Sequence, residues 1–217
     1  FQMNDSSGTP IPRATYRLQF NKDFQFDDAS ALTEYMARLG VSHLYASPYM
    51  KARPGSTHGY DIVDHNAINP ELGGEEGFKR LIAALKQAGL GQIVDFVPNH
   101  MGVGGSDNAW WLNILEWGQD SAYAGYLDID WDPDRRFLQG KLLIPFLGDQ
   151  YGKVLEDGDL ALKFDPEEGS FAVWAYGTHK LPICPLNYAE ILGHDNPDLE
   201  NLGDAFGALP TFRPHVE

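Results

Sequence analysis

Two short stretches of this sequence concentrate the side chains that could do chemistry. The run Ser56-Thr57-His58-Gly59-Tyr60-Asp61-Ile62-Val63-Asp64-His65 packs two imidazoles, two carboxylates and one phenol into ten residues. Flat aromatic rings suit the apolar faces of sugars and carboxylates suit their hydroxyls, so a carbohydrate site is chemically natural. The run also reads as a solvated turn whose Asp and His side chains cap local backbone. A metal site built from His58, Asp61 and His65 is a third reading, although the spacing matches no common zinc pattern. The second stretch is Asp95-Phe96-Val97-Pro98-Asn99-His100. A carboxylate closing an apolar strand, followed by Pro, Asn and His, suits polar groups that face a site. It suits equally well a capped strand end with a satisfied histidine.

The elements that must position these groups follow from hydrophobic spacing. Thr15 to Phe20 alternates in polarity and is rich in strand formers. Phe26-Asp27-Asp28 opens a helix, with Ala29, Leu32, Met36 and Leu39 at helical spacing and Gly40 as its stop. Val41 to Ala46 is a second strand, and a loop rich in Gly and Pro runs from Ser47 to Gly74. Phe78, Leu81, Ile82 and Leu85 mark a second helix that Gly89 ends; Gln92 to Val97 reads as a third, buried parallel strand. Strand, helix, strand, helix, strand is the signature of right-handed βαβ units and a parallel sheet. Such folds collect chemistry at the C-terminal ends of their strands, where both polar stretches fall. A loop as long as 47–74 is uncommon unless it has a function. After residue 101 the rhythm fails. Trp110 to Trp117 suits a helix, Lys141 to Leu147 a strand, and Leu160 to Phe164 with Phe171 to Tyr176 a hairpin.

Composition narrows the field. The chain has 217 residues and a formal net charge of −15. Residues 1–100 hold 9 basic and 11 acidic side chains, whereas residues 101–217 hold 7 and 20, together with all five Trp. An acidic chain is a poor match for a nucleic-acid backbone, so a nucleic-acid partner is not expected. The single cysteine, Cys184, rules out an internal disulfide framework and a Cys-cluster zinc site. No apolar run is long enough to span a membrane, and the N-terminus lacks the pattern of a secretory signal. A cytoplasmic setting is the resulting expectation. Residues 1–12 read as a tag remnant, Phe1-Gln2 ahead of Met3, followed by a disordered N-terminus.

Taken together, HGYD in the second βα loop and DFVPNH at the end of the third strand resemble the alpha-amylase superfamily of glycoside hydrolases and transglycosylases. Within it, HLYASPYMKARPGSTHGYDIVDHN, NPELGGEEGF, DFVPNHMGVGG, WWLNILEWG, YLDIDWDP and LLIPFLGDQYG resemble the maltooligosyl trehalose synthase family, from about Arg13 to about Leu192. The resemblance implies an α/β fold: residues 13–100 as the first three βα units of a (β/α)8 TIM barrel, and residues 101–217 as an inserted, acidic, Trp-rich α+β subdomain leading towards the fourth strand. It implies intramolecular transglucosylation, turning the reducing-end α-1,4 bond of a maltooligosaccharide into the α,α-1,1 linkage of trehalose, with no cofactor.

Its residue roles carry over one at a time. Tyr60 takes the place of the Tyr that stacks on the −1 sugar, with Asp61 at the floor of that pocket and His58 beside them. Asp95 matches an Asp that orients an active-site Arg, and His100 the His that hydrogen-bonds the 6-hydroxyl of the −1 glucose. Asn99 matches a calcium ligand of many amylases, but the rest of that site is not recognisable and no metal is expected. One departure matters. Retaining chemistry on α-glucosides needs a nucleophile and an acid/base carboxylate, and the Gly-x-Arg-x-Asp pattern of the nucleophile occurs nowhere in the 217 residues. The expectation is a chain inactive alone, whose partner is the remaining part of the same enzyme or a second copy. Two other readings stay open: another superfamily hydrolase acting on α-glucans, and a non-catalytic glucan-binding protein.

Overall fold

The computed structural model describes residues 11–193 and 196–208, so the proposed tag remnant Phe1-Gln2 and start Met3 lie outside the described residues. Ile11 and Pro12 are exposed and outside regular structure. The chain forms two compact units, one up to Val103 and the other from Gly104.

The first unit is organised by a parallel sheet. Strands β1 (Thr15–Leu18), β2 (His43–Ala46) and β5 (Gly91–Val94) pair in the order β1-β2-β5. Helices α1 (Phe26–Ala31) and α2 (Thr33–Leu39) connect the first pair, and α3 (Gly74–Gln87) lies on the second crossover. The helix expected from Phe26 to Leu39 is thus two helices. Ser30 Oγ and Thr33 Oγ1 donate to the carbonyls of Phe26 and Ser30, at 2.8 and 2.9 Å. Leu32 N–H donates to Ala29, one residue short of the helical partner. Such back-bonding competes with the helical ladder and interrupts it between Ala31 and Thr33. Gly40 ends α2 at φ 90°, a conformation open to glycine without strain. An ion pair with two contacts of 2.8 Å joins Arg80 on α3 to Asp27 on α1.

Leu18, Phe20, Phe26, Met36, Leu44, Ala46, Leu81 and Leu85 are buried in one cluster between this sheet and its helices. Phe26 and Phe78 pack against Tyr49 with centroids 5.8 and 5.1 Å apart, which seals the base of the loop that follows β2.

Two expectations fail here for physical reasons. The segment 47–74 is not all loop, because β3 (Met50–Ala52) and β4 (Ile62–Ile68) pair as an irregular antiparallel hairpin. Its register shifts at both steps of β3, so no clean period-2 pattern reaches the sequence. The third parallel strand is not buried either. Among the described residues β5 pairs on one side only, and Val94 and Phe96 are 38% and 52% exposed.

The second unit is built around an antiparallel sheet in the order β6 (Leu160–Asp165), β7 (Ser170–Ala175) and β8 (His179–Pro182). The expected hairpin is present, with Leu160 opposite Ala175 and Asp165 opposite Ser170. The helix expected at Trp110 is α4 (Ala109–Trp117), capped by Asn108, whose side chain accepts from Trp111 N–H. Shorter helices α5 (Tyr151–Glu156) and α6 (Tyr188–Leu192) and the longer α7 (Pro197–Gly207) complete the unit. Lys141 to Leu147 does not form a strand. Pro145 has no N–H for a ladder, and Phe146 N–H turns back to Ile144 at 3.0 Å. None of the five Trp is fully buried; Ile114, Val154, Ala172, Ala175 and Tyr188 are. Trp110 stacks instead on Tyr123, with centroids 5.1 Å apart.

Candidate functional site

The register of the parallel sheet decides which side chains meet. Arg17 lies opposite Tyr45, and Tyr45 opposite Ile93, so the three share one face of the sheet. Their neighbours Leu18 and Leu44 point into the core on the other face. Asp95, two residues beyond Ile93, returns to the face of Arg17 and Tyr45, and its N–H is held by Ala46 O at 2.9 Å. The Arg17 guanidinium lies over the Tyr45 ring, 5.6 Å from its centroid.

The loop between β3 and β4 brings Tyr60 to the same place. Gly59 has φ +77°, and a Cβ there would stand 2.5 Å from the carbonyl oxygen of Pro48, so glycine alone fits. The turn is tied by Ser56, whose Oγ accepts from Gly59 N–H at 3.1 Å and donates to Asp61 Oδ1. Tyr60 then donates its phenol to Asp95 Oδ2 at 2.6 Å, and Tyr45 donates to the same oxygen at 3.4 Å. Arg17 Nη2 lies 3.4 Å from Tyr60 Oη and 3.8 Å from Asp95 Oδ2. The Asp95 side chain is 16% exposed; a carboxylate so enclosed needs partners, and here it has two phenols and a guanidinium. The hydrogen bond to Asp95 holds the Tyr60 phenol above its usual titration range, with Arg17 opposing that shift. Tyr60 is therefore a neutral donor at physiological pH.

The histidines divide by what they bond. His58 Nδ1 accepts from Tyr60 N–H at 3.0 Å, which puts its proton on Nε2. Its Nδ1 also lies 3.9 Å from Asp61 Oδ1. Its ring lies nearly parallel to that of Tyr60, with centroids 6.0 Å apart. His100 Nε2 donates to Tyr60 O at 3.0 Å, leaving Nδ1 as its acceptor. His65 is not brought to this group, since its Nε2 lies 3.3 Å from Val97 O and its ring packs edge-on against Phe96. His58, Asp61 and His65 thus do not converge, and among the described residues no group of three or more His, Cys, Asp or Glu could hold a metal ion.

His58, Tyr60, Asp61, Asp95 and His100 therefore form one contiguous constellation, although 35 residues separate Tyr60 from Asp95. Sequence reasoning missed Arg17, Gln19 and Tyr45. Their signal was the alternation along β1 and β2, which puts polar or amphipathic groups at 17, 19 and 45 between buried Leu18, Phe20 and Leu44. The arrangement can present a fixed aromatic ring, hydroxyl-binding carboxylates and an imidazole acceptor to a polyhydroxylated ligand.

The model of the alpha-amylase catalytic domain matches residues 30–152. A curated protein of Mycobacterium tuberculosis, described as a putative maltooligosyl trehalose synthase, is 45% identical over 170 residues, covering 72% of this chain and 22% of that protein. A solved maltooligosyl trehalose synthase is similar over 79% of this chain and 22% of its own length, with 41% identity and a TM-score of 0.72. A solved maltooligosyltrehalose synthase from Arthrobacter ramosus is 39% identical with a TM-score of 0.69, over 87% of this chain and 23% of that one. This chain spans 22% of the length of the curated relative. The chain belongs to the alpha-amylase catalytic-domain family, whose model matches more than half of its length.

Proposed function

We propose that this chain supplies the −1 glucose pocket of a maltooligosyl trehalose synthase, with residues 13–100 as the first three βα units of its barrel and residues 101–217 as an inserted subdomain. The observation that carries the reading is the 2.6 Å hydrogen bond from Tyr60 to Asp95, which fuses the HGYD loop and the DFVPNH strand end into one site. In the reaction the reducing-end α-1,4 bond of a maltooligosaccharide is cleaved through a covalent intermediate on an enzyme carboxylate. The freed glucose turns in place and rejoins through its anomeric hydroxyl as an α,α-1,1 linkage. The −1 glucose stacks on the face of Tyr60 opposite His58. Asp61 and His100 bind hydroxyls around it, and Asp95 keeps the Tyr60 ring and Arg17 fixed while the sugar reacts. Water must be excluded, since water attacking the intermediate would release the maltooligosaccharide one unit shorter and leave the freed glucose unjoined.

The nucleophile and the acid/base carboxylate are not among the five residues of this site. The partner is accordingly the remaining part of the same enzyme, or a second copy, which would also cover the exposed Val94 and Phe96 beside β5. We place the reaction in the cytoplasm, in keeping with the single cysteine. Among the described residues no helix is long and apolar enough to cross a membrane.

The test is product analysis on maltopentaose. The enzyme containing this chain is expected to yield a non-reducing product ended by a 1,1 linkage, and the purified 217-residue chain none. Glucose and shorter maltooligosaccharides as the main products of the enzyme would assign it to the hydrolases of the superfamily instead. The 1,1-linked product from the isolated chain would overturn the claim that its reacting carboxylates lie elsewhere.

A further inference from the structure

We propose that Arg17, seconded by Gln19, is a positioning residue that braces Tyr60 and its loop from β1, and so sets the affinity of the glucose pocket. This rests on the reading of Tyr60 as a sugar-stacking ring. Arg17 stands on the face of the sheet opposite the core cluster, where Tyr45 lies beside it, and its polar partners give it a definite place there. Arg17 Nη1 donates to Gln19 Oε1 at 2.9 Å, while Nη2 reaches Tyr60 Oη at 3.4 Å. Gln19 Nε2 in turn lies 3.3 Å from the carbonyl oxygens of both Thr57 and His58. One side chain pair therefore holds the loop at two levels, by its backbone just ahead of Gly59 and by the tip of Tyr60.

The brace has directionality. Tyr60 Oη accepts from Arg17 and donates to Asp95, so the tip of the phenol is held from two sides. Arg17 opposes the influence of Asp95 on the Tyr60 phenol, which agrees with its guanidinium facing that oxygen. The Arg17 side chain is 38% exposed, so its ion pair with Asp95 is screened and adds little to global stability. Its contribution is local geometry. A planar fork serves Gln19 and Tyr60 from two fixed donors, whereas an ammonium on a flexible stem brings three donors to one point.

The test is a double-substitution cycle in the enzyme containing this chain, read as maltopentaose binding by calorimetry alongside KM and kcat. Arg17→Met is expected to weaken binding and raise KM on the order of tenfold with kcat changed far less, the pattern of lost ground-state binding. Arg17→Lys, which keeps the charge and secures the test should the Met variant misfold, is expected to recover only part of that loss. In a Tyr60→Phe background, where no phenol oxygen remains, Arg17→Met is expected to add less than about a twofold effect, because contacting residues are not additive. Unchanged binding in Arg17→Met, full recovery by Arg17→Lys, or additive effects of the two substitutions would each overturn the brace. If the enzyme makes no 1,1-linked product but the two substitutions remain coupled in binding, the brace stands and the assignment of the reaction falls.

Discussion

Replacing Asp95 with Ala in the enzyme containing this chain is expected to lower kcat/KM on maltopentaose by roughly 10- to 100-fold. The carboxylate accepts from Tyr60 and Tyr45 and faces Arg17, so its removal leaves two phenols and a guanidinium aimed at a void. A buried polar group deprived of its partner costs about 1–3 kcal/mol, and each 1.4 kcal/mol is a factor of ten. The loss falls below the top of that range, because Arg17 is partly in water. Asp95→Asn keeps an acceptor for Tyr60 but not the charge opposite Arg17, and should fall between wild type and Ala. Steady-state kinetics of the two variants measure the order; wild-type kinetics in Asp95→Ala would remove Asp95 from the site.

Gly59→Ala is expected to be as damaging, by a different route. At φ +77° an L-residue costs about 1–2 kcal/mol, and the added methyl meets the backbone oxygen of Pro48, which is itself fully buried and has nowhere to retreat. The loop must move instead, carrying Tyr60 on one side and the Ser56 to Asp61 contact on the other. A displacement near 1 Å at a reacting centre can cost about 10²-fold in rate. The unfolding midpoint and kcat/KM should both drop. A variant that matched wild type in both would show that this turn does not set the position of Tyr60.

The parts of the fold legible in the sequence are those where one physical signal dominates. Ala29, Leu32 and Met36 at helical spacing and Gly40 after them marked the first helical crossover, but not its interruption. That break depends on where Ser30 and Thr33 send their hydroxyls. The hairpin of β6 and β7 was visible because two strand-forming stretches, Leu160 to Phe164 and Phe171 to Tyr176, lie a short turn apart, and its register runs without a shift. The pairing of β3 with β4 was hidden by its two register irregularities, and Pro145 spoiled a stretch that hydropathy alone favours as a strand. Of the site, the acidic, aromatic and imidazole members announced themselves by clustering. Arg17 did not, because the alternation along β1 tells which face it is on but not which side chains lie opposite it. Its meaning came only from the register that sets it opposite Tyr45.

In the proposed function the HGYD loop and the DFVPNH strand end form a single glucose pocket. The most direct measurement is a structure of the enzyme containing this chain with maltopentaose bound. One glucose ring is expected to lie on Tyr60, on the face away from His58, at a carbon-to-carbon contact of about 4 Å. Asp61 and His100 should bond its hydroxyls, and the Tyr60 to Asp95 hydrogen bond should be intact. Maltopentaose bound with its glucose rings away from Tyr60, or with Tyr60 parted from Asp95, would contradict it.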